Sequence, residues 1–147
     1  MCYTERFTEV HYPLTWEDPD LRAIGVHTSG YVSLMNYHRA VLYLHVGAMT
    51  QGATLDCRLL QATDVLGAGA KAIAGKAITQ LTQAGCDGDD LLAIELRTEE
   101  LDVSNNFDCV AMEVTIAGAT VYFSSVILGL EPRYAPTGVT NWQEVVP

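Results

Sequence analysis

Cys109-Val110-Ala111-Met112-Glu113-Val114-Thr115-Ile116-Ala117 places Val110, Met112, Val114 and Ile116 at every second position, with Ala111, Glu113, Thr115 and Ala117 between them. Successive side chains leave a β-strand on opposite sides, so a period of two marks a strand with one face in a core. Working outward, the pattern recurs. Thr54 to Ala62 sets Leu55, Cys57 and Leu59 on one face against Asp56, Arg58 and Leu60 on the other. Leu92, Ile94 and Leu96 alternate with Ala93, Glu95 and Arg97, in a strand that ends at Thr98. Arg39 to Val46 is apolar on both sides, as expected for a strand near the centre of a sheet. Ala117 to Thr120 is short enough to join the clearest strand to Val121–Leu130 as a hairpin, with Gly118 free to take a positive φ.

Turn signals separate these runs. Gly47 to Gly52 reads as a turn, Asp64 to Gly75 as a loop with at most a short helical turn, and Gln83 to Asp90 as a second loop. Lys76 to Leu81 reads as extended, and Thr98 to Asp102 as one helical turn capped by the Thr98 hydroxyl. Short strands at fairly even spacing predict an all-β sandwich or barrel over residues 31–130. Residues 1–30 differ: Tyr12-Pro13 and Asp18-Pro19 interrupt them, which predicts an extended N-terminal arm with little regular structure. The tail over residues 131–147, with three prolines, reads as a second extended arm. Such arms either pack over their own domain or reach a neighbour, and both options stand at this point.

Length and charge narrow the function classes. At 147 residues the chain fits one domain, which at this size buries roughly two-thirds of its unfolded surface. Hydrophobic residues are 49% and charged residues 18%, a globular composition. Eight Lys and Arg against 18 Asp and Glu give a formal net charge of -10, and the basic residues are scattered singly, which argues against direct nucleic-acid binding. No run approaches the ~18 apolar residues of a membrane helix, so no membrane partner is expected. The start of the chain shows no secretory signal, which leads to an expectation of cytosolic synthesis. Cys2, Cys57, Cys86 and Cys109 form no CxxC pair and read as reduced thiols, Cys57 and Cys109 in the core and Cys86 in a loop.

Searching for chemistry yields little. His11, His27, His38 and His45 lack metal-ligand spacing; His38 and His45 are an odd number apart and on one strand point to opposite faces. Asp87-Gly88-Asp89-Asp90 is the best ion candidate, but it lacks the twelve-residue calcium loop and its terminal glutamate. Gly67-Ala68-Gly69 lacks the third glycine of a dinucleotide turn. There is no GxSxG elbow and no HExxH. The expectation is a protein that is not an enzyme and uses no metal or other cofactor.

The segments Gly52 to Asp64, Ile73 to Leu81, Ile94 to Asp102 and Leu128 to Pro136 resemble segments of small head proteins of tailed bacteriophages, over roughly residues 38–136. The resemblance implies a capsid decoration (cement) protein: a jelly-roll-like β-sandwich on the outside of the virion that binds neighbouring copies of the major capsid protein, assembled in the bacterial cytoplasm. Self-association as a dimer or trimer suits such a clamp. Exposed Trp, Tyr and Arg dominate interface energies, which points to Tyr12 and Trp16 in the first arm and Arg133, Tyr134 and Trp142 in the second. The alternatives are a head-tail joining or minor tail protein, and a carbohydrate-binding β-sandwich module using aromatic platforms.

Overall fold

The computed structural model describes residues 6–85, 88–134 and 141–146. A four-residue helix α1 (Phe7–Val10) leads into ten strands: β1 (His11–Arg22), β2 (Gly25–Thr28), β3 (Val32–Ser33), β4 (Tyr37–Met49), β5 (Thr54–Ala62), β6 (Lys71–Ala77), β7 (Leu81–Thr82), β8 (Asp90–Arg97), β9 (Cys109–Ala117) and β10 (Val121–Pro132). They form two antiparallel sheets. One is four-stranded in the order β1-β10-β4-β8; the other runs β2-β9-β5-β6, with β3 also on β9 and β7 on β5. The chain changes sheet six times, at β1 to β2, β3 to β4, β4 to β5, β7 to β8, β8 to β9 and β9 to β10, which gives the double-layered jelly roll.

The alternating strands supply the core as their pattern requires. Ala40, Leu42, Leu44 and Val46 of β4, with Phe123 and Ile127 of β10, meet Leu55, Cys57 and Leu59 of β5 and Val110, Met112, Val114 and Ile116 of β9. Two buried polar groups complete the layer. Ser29 fills the gap between β2 and β3 by accepting the Met112 N–H on its hydroxyl at 2.9 Å, and Gln61 Oε1 accepts the Asp102 N–H at 2.8 Å. Each supplies an acceptor to a backbone N–H.

Several expectations change. The segment expected as an N-terminal arm with little regular structure holds the twelve-residue strand β1, paired with β10 along its length. Its prolines are tolerated because β1 is an edge, and the register shifts fall between Pro13 and Thr15 and between Glu17 and Asp20, the second spanning Pro19. The expected β9–β10 hairpin does not form: β9 belongs to the six-stranded sheet and β10 to the four-stranded one. Gly118 does take a positive φ, +77°, but it serves a crossing between layers, where its Cα hydrogens face the Gly52 carbonyl and an added Cβ would lie 2.0 Å from that oxygen. Thr50 and Thr120 lock the same corner through a backbone bond of 3.0 Å and a hydroxyl pair at 2.9 Å.

Loop boundaries shift for local reasons. Asp64 Oδ1 accepts from Leu66 N and Ala68 N at 2.9 Å each, closing the loop early, so strand β6 begins at Lys71 instead of Lys76. Strand β4 continues to Met49, through the start of the expected turn. The turn at Thr98–Glu100 is a 3-10 turn whose preceding amide, Arg97 N, donates to Glu100 Oε2 at 2.8 Å, while the Thr98 hydroxyl bonds His38 O at 3.2 Å instead of capping. At the C-terminal side, β10 extends to Pro132, and Asn141 Nδ2 donates to Pro13 O at 2.8 Å, returning that segment to β1.

Candidate interaction face

The outer face of the four-stranded sheet follows from the register. Trp16, Val126, Tyr43 and Ala93 lie side by side in one row across β1, β10, β4 and β8. Ser124, His45 and Leu91 form the next row. Beyond it Leu21 pairs with Tyr122, whose Cβ lies 3.3 Å from the position of a Cβ on Gly47. On the other side Pro13, Leu128 and Val41, all buried, lead to exposed Glu95. Trp16 is 52% exposed, Tyr43 40%, Tyr122 49% and Leu91 70%. A two-layered domain covers only one face of each sheet, so apolar side chains on both sides of β4 and β10 leave one set facing outward. The outward positions of β4 from Val41 to Gly47 and of β10 from Tyr122 to Leu128 carry no charged residue; charges flank them, with Asp18 in the β1 bulge, Glu95 on β8, and Arg39 and Arg97 in the row beyond Val41.

A groove of about 370 Å³ lies at the end of this face, lined by Arg39, Val41, Tyr43, Lys76, Glu95, Arg97, Glu100 and Leu130, among others. The fold thus brings together basic residues that are far apart in sequence. Each has a carboxylate: Arg39 with Glu131 at 3.3 Å, Arg97 with Glu99 at 3.5 Å and Lys76 with Glu100 at 2.8 Å. The Arg97 backbone N–H and then the Lys76 ammonium hold the Glu100 carboxyl below its ordinary range. Lys76 Nζ also donates to Glu95 O at 2.8 Å, occupying a carbonyl on the edge strand β8.

Of the residues singled out in the sequence, Trp16 lies on this face. Tyr12 is 7% exposed; its ring lies 6.2 Å from that of Tyr37 and its hydroxyl donates to Glu9 O, so it serves the chain's own core. Arg133 is held at one end of the sandwich by Thr98 Oγ1 at 3.4 Å and Tyr37 O at 3.5 Å, and Tyr134 beside it is 75% exposed. Trp142 is half-buried next to Asn141, with its indole N–H unpartnered among the described residues. The fold therefore does not gather these five into one site. Tyr43, Tyr122, Val126 and Leu91 were missed. Their signal is the apolar run Arg39 to Val46, whose outward half a central position in the sheet does not by itself cover.

Cys57 and Cys109 are buried and unpaired, and burial pushes both thiols up to about 12. Cys86 and Asp87 lie outside the described residues. Among the described residues no group of three or more His, Cys, Asp and Glu is placed to hold a metal ion, and no helix is long and apolar enough to cross a membrane.

No family model matches the sequence, and no curated protein matches it. Among solved structures, the chain is similar to one in infectious bursal disease virus, Gx strain, with a TM-score of 0.50 and 15% identity over 85% of this chain and 33% of that one. A chain of broad bean stain virus gives 0.49 and 11%, covering 99% of both, and one of cowpea mosaic virus empty particles gives 0.46 and 10%, covering 99% and 98%. The fold is a jelly roll. This chain spans about a third of the bursal disease virus chain and nearly all of the bean virus chain.

Proposed function

We propose that this chain is a structural protein of a virus particle that works by protein–protein contact, as a decoration protein on the outside of a tailed-phage head. The observation that carries the reading is the uncovered apolar face of Trp16, Val126, Tyr43, Tyr122 and Leu91: an acidic, otherwise well-closed sandwich retains it because an assembly covers it. The jelly roll supports a particle protein, and the resemblance over residues 38–136 supports the head surface. Neighbouring major capsid proteins are then bridged by many copies, each adding weak contacts that symmetry multiplies. Exposed Arg133 and Tyr134, at the end of the sandwich, are the proposed capsid contacts.

Quantifying the protein in purified particles tests this directly. A decoration protein is present on the order of hundreds of copies, as lattice repetition requires; a dozen or fewer would move it to the head-tail junction and overturn the reading. The aromatic strip also favours a second reading, a glycan platform, since sugar rings stack on exposed Trp and Tyr. Titration of the folded chain with oligosaccharides separates the two, and no binding at millimolar sugar removes it.

A further inference from the structure

We infer that the outer face of the four-stranded sheet is covered by a second copy of this chain, in a two-fold dimer whose axis runs parallel to the strands between β10 and β4. The inference rests on the reading of that face as a contact surface and names what occupies it. A rotation about this axis lays β1 over the partner's β8 and β10 over the partner's β4, with each row facing itself. Trp16 then falls on the partner's Ala93, Tyr43 on the partner's Val126, His45 on the partner's Ser124 and Tyr122 on the partner's Gly47. Each of these four pairs sets a larger side chain against a smaller one, as aligned sheets do in a sandwich core; the row of Pro13, Leu128 and Val41 is already buried within the chain and adds no contact.

Three further observations favour a copy over another occupant. Charge is the first: at a formal -10, two copies repel unless they meet through a surface poor in charge, and the outward positions of the two central strands, Val41 to Gly47 and Tyr122 to Leu128, carry none. Size is the second. Three exposed rows, about six residues at ~3.4 Å, across four strands at ~4.8 Å give a face roughly 20 by 19 Å, about half of the ~800 Å² that each partner contributes to a standard interface, so the anchors Trp16 and Tyr43 carry a small contact. The third is that the outer edges of this sheet resist strand addition: β1 carries two prolines and two bulges, and Lys76 occupies a carbonyl of β8. Association through this sheet therefore uses its face.

Sedimentation equilibrium of the full chain tests the geometry. The wild type should run at twice the chain mass at micromolar concentration. Ala93→Trp puts a large side chain where the partner's Trp16 must sit and should weaken dimerisation at least ~100-fold, with an unchanged far-ultraviolet spectrum because position 93 is exposed. The double variant Trp16→Ala with Ala93→Trp exchanges the large and small partners and should recover most of the loss. A monomeric wild type, or a dimer indifferent to Ala93→Trp, overturns the inference. If the monomer still coats particles and Trp16→Ala abolishes the coating, the contact-face reading survives without the dimer; if neither association nor coating responds to Trp16→Ala, both fall.

Discussion

The two outer faces of the sandwich are made by strands of the same kind and carry opposite chemistry. The six-stranded sheet turns Asp56, Arg58, Glu113 and Thr115 outward in facing pairs, with Arg58 Nη2 2.6 Å from Glu113 Oε1 and Asp56 accepting from Gln80 Nε2 at 2.7 Å. The four-stranded sheet turns Trp16, Tyr43, Tyr122, Val126 and Leu91 outward, and none of these side chains carries a charge. A polar face satisfied by its own neighbours is finished in water. An exposed apolar face is the kind that a partner covers, so under the proposed function solvent meets one layer and assembly uses the other.

Both faces depend on the corner that carries the chain from β9 to β10, and breaking that corner gives the largest effect. Gly118→Ala must keep φ near +77° and fit a methyl group 2.0 Å from the Gly52 oxygen, a position neither backbone can accommodate without moving. Denaturant melting should show a loss of about 3 kcal/mol or more, because left-handed strain and a backbone clash add. Next comes the face itself. Trp16→Ala should weaken association about 30-fold, roughly 2 kcal/mol, as for truncation of a central aromatic anchor, and leave the unfolding of the separated chain within about 0.5 kcal/mol. Thr115→Ala, at a mid-strand position of the polar face, should change neither measurement detectably.

Burial is shared by both sides of the six-stranded sheet: Cys57 points into the core, and Cys109, on the Glu113 side of β9, is also buried. Cys57 and Cys109 lie buried on the six-stranded sheet, and burial raises both thiols from the ordinary 9.0 to about 12. A thiol whose folded value is raised gives stability that is complete below 9.0 and is lost as pH rises through about 12, because the unfolded chain ionises first. Melting temperature should therefore fall in alkali over that window, and a Cys57→Ala, Cys109→Ala variant should fall less. At neutral pH both thiols should resist iodoacetamide until denaturant is added, since the thiolate is the reacting form. Rapid labelling of Cys57 in the native chain would show that the layer behind the polar face is open.

The strands were legible where one periodicity decided them. β5 begins and ends at the expected residues, and β9 shows its alternation directly, because a half-buried strand writes its burial into every second position. β1 was not legible as a strand, because prolines and acidic residues obscure an edge that pairs on one side only. Sheet membership was least legible of all. A four-residue link between two apolar strands fits a hairpin and a crossing between layers equally well, and only the partner strands distinguish them. The interaction face was half-legible: Trp16 was found as an exposed aromatic, whereas Tyr43 and Tyr122 depend on which strands lie beside β4 and β10. Tyr12 shows the converse, since a β1 residue four positions from Trp16 faces the opposite layer once a bulge intervenes.

The smallest measurable effect tests the polar face by its own rule. Arg58 and Glu113 sit directly opposite on β5 and β9, and the pair is short, but the arginine side chain is about half exposed, so water and salt screen most of its Coulomb gain. Arg58→Ala should cost about 0.5 kcal/mol or less in low salt, and the difference should shrink as salt is raised to 1 M. Association should be unchanged at every salt concentration, because the paired carboxylate belongs to the layer that faces solvent. A salt-independent loss larger than about 1 kcal/mol would mean that Arg58 acts through the packing of its stem against the sheet, as long basic side chains can. A loss of association would mean that the polar face is a contact surface as well, and that the difference in chemistry between the two layers marks two kinds of partner.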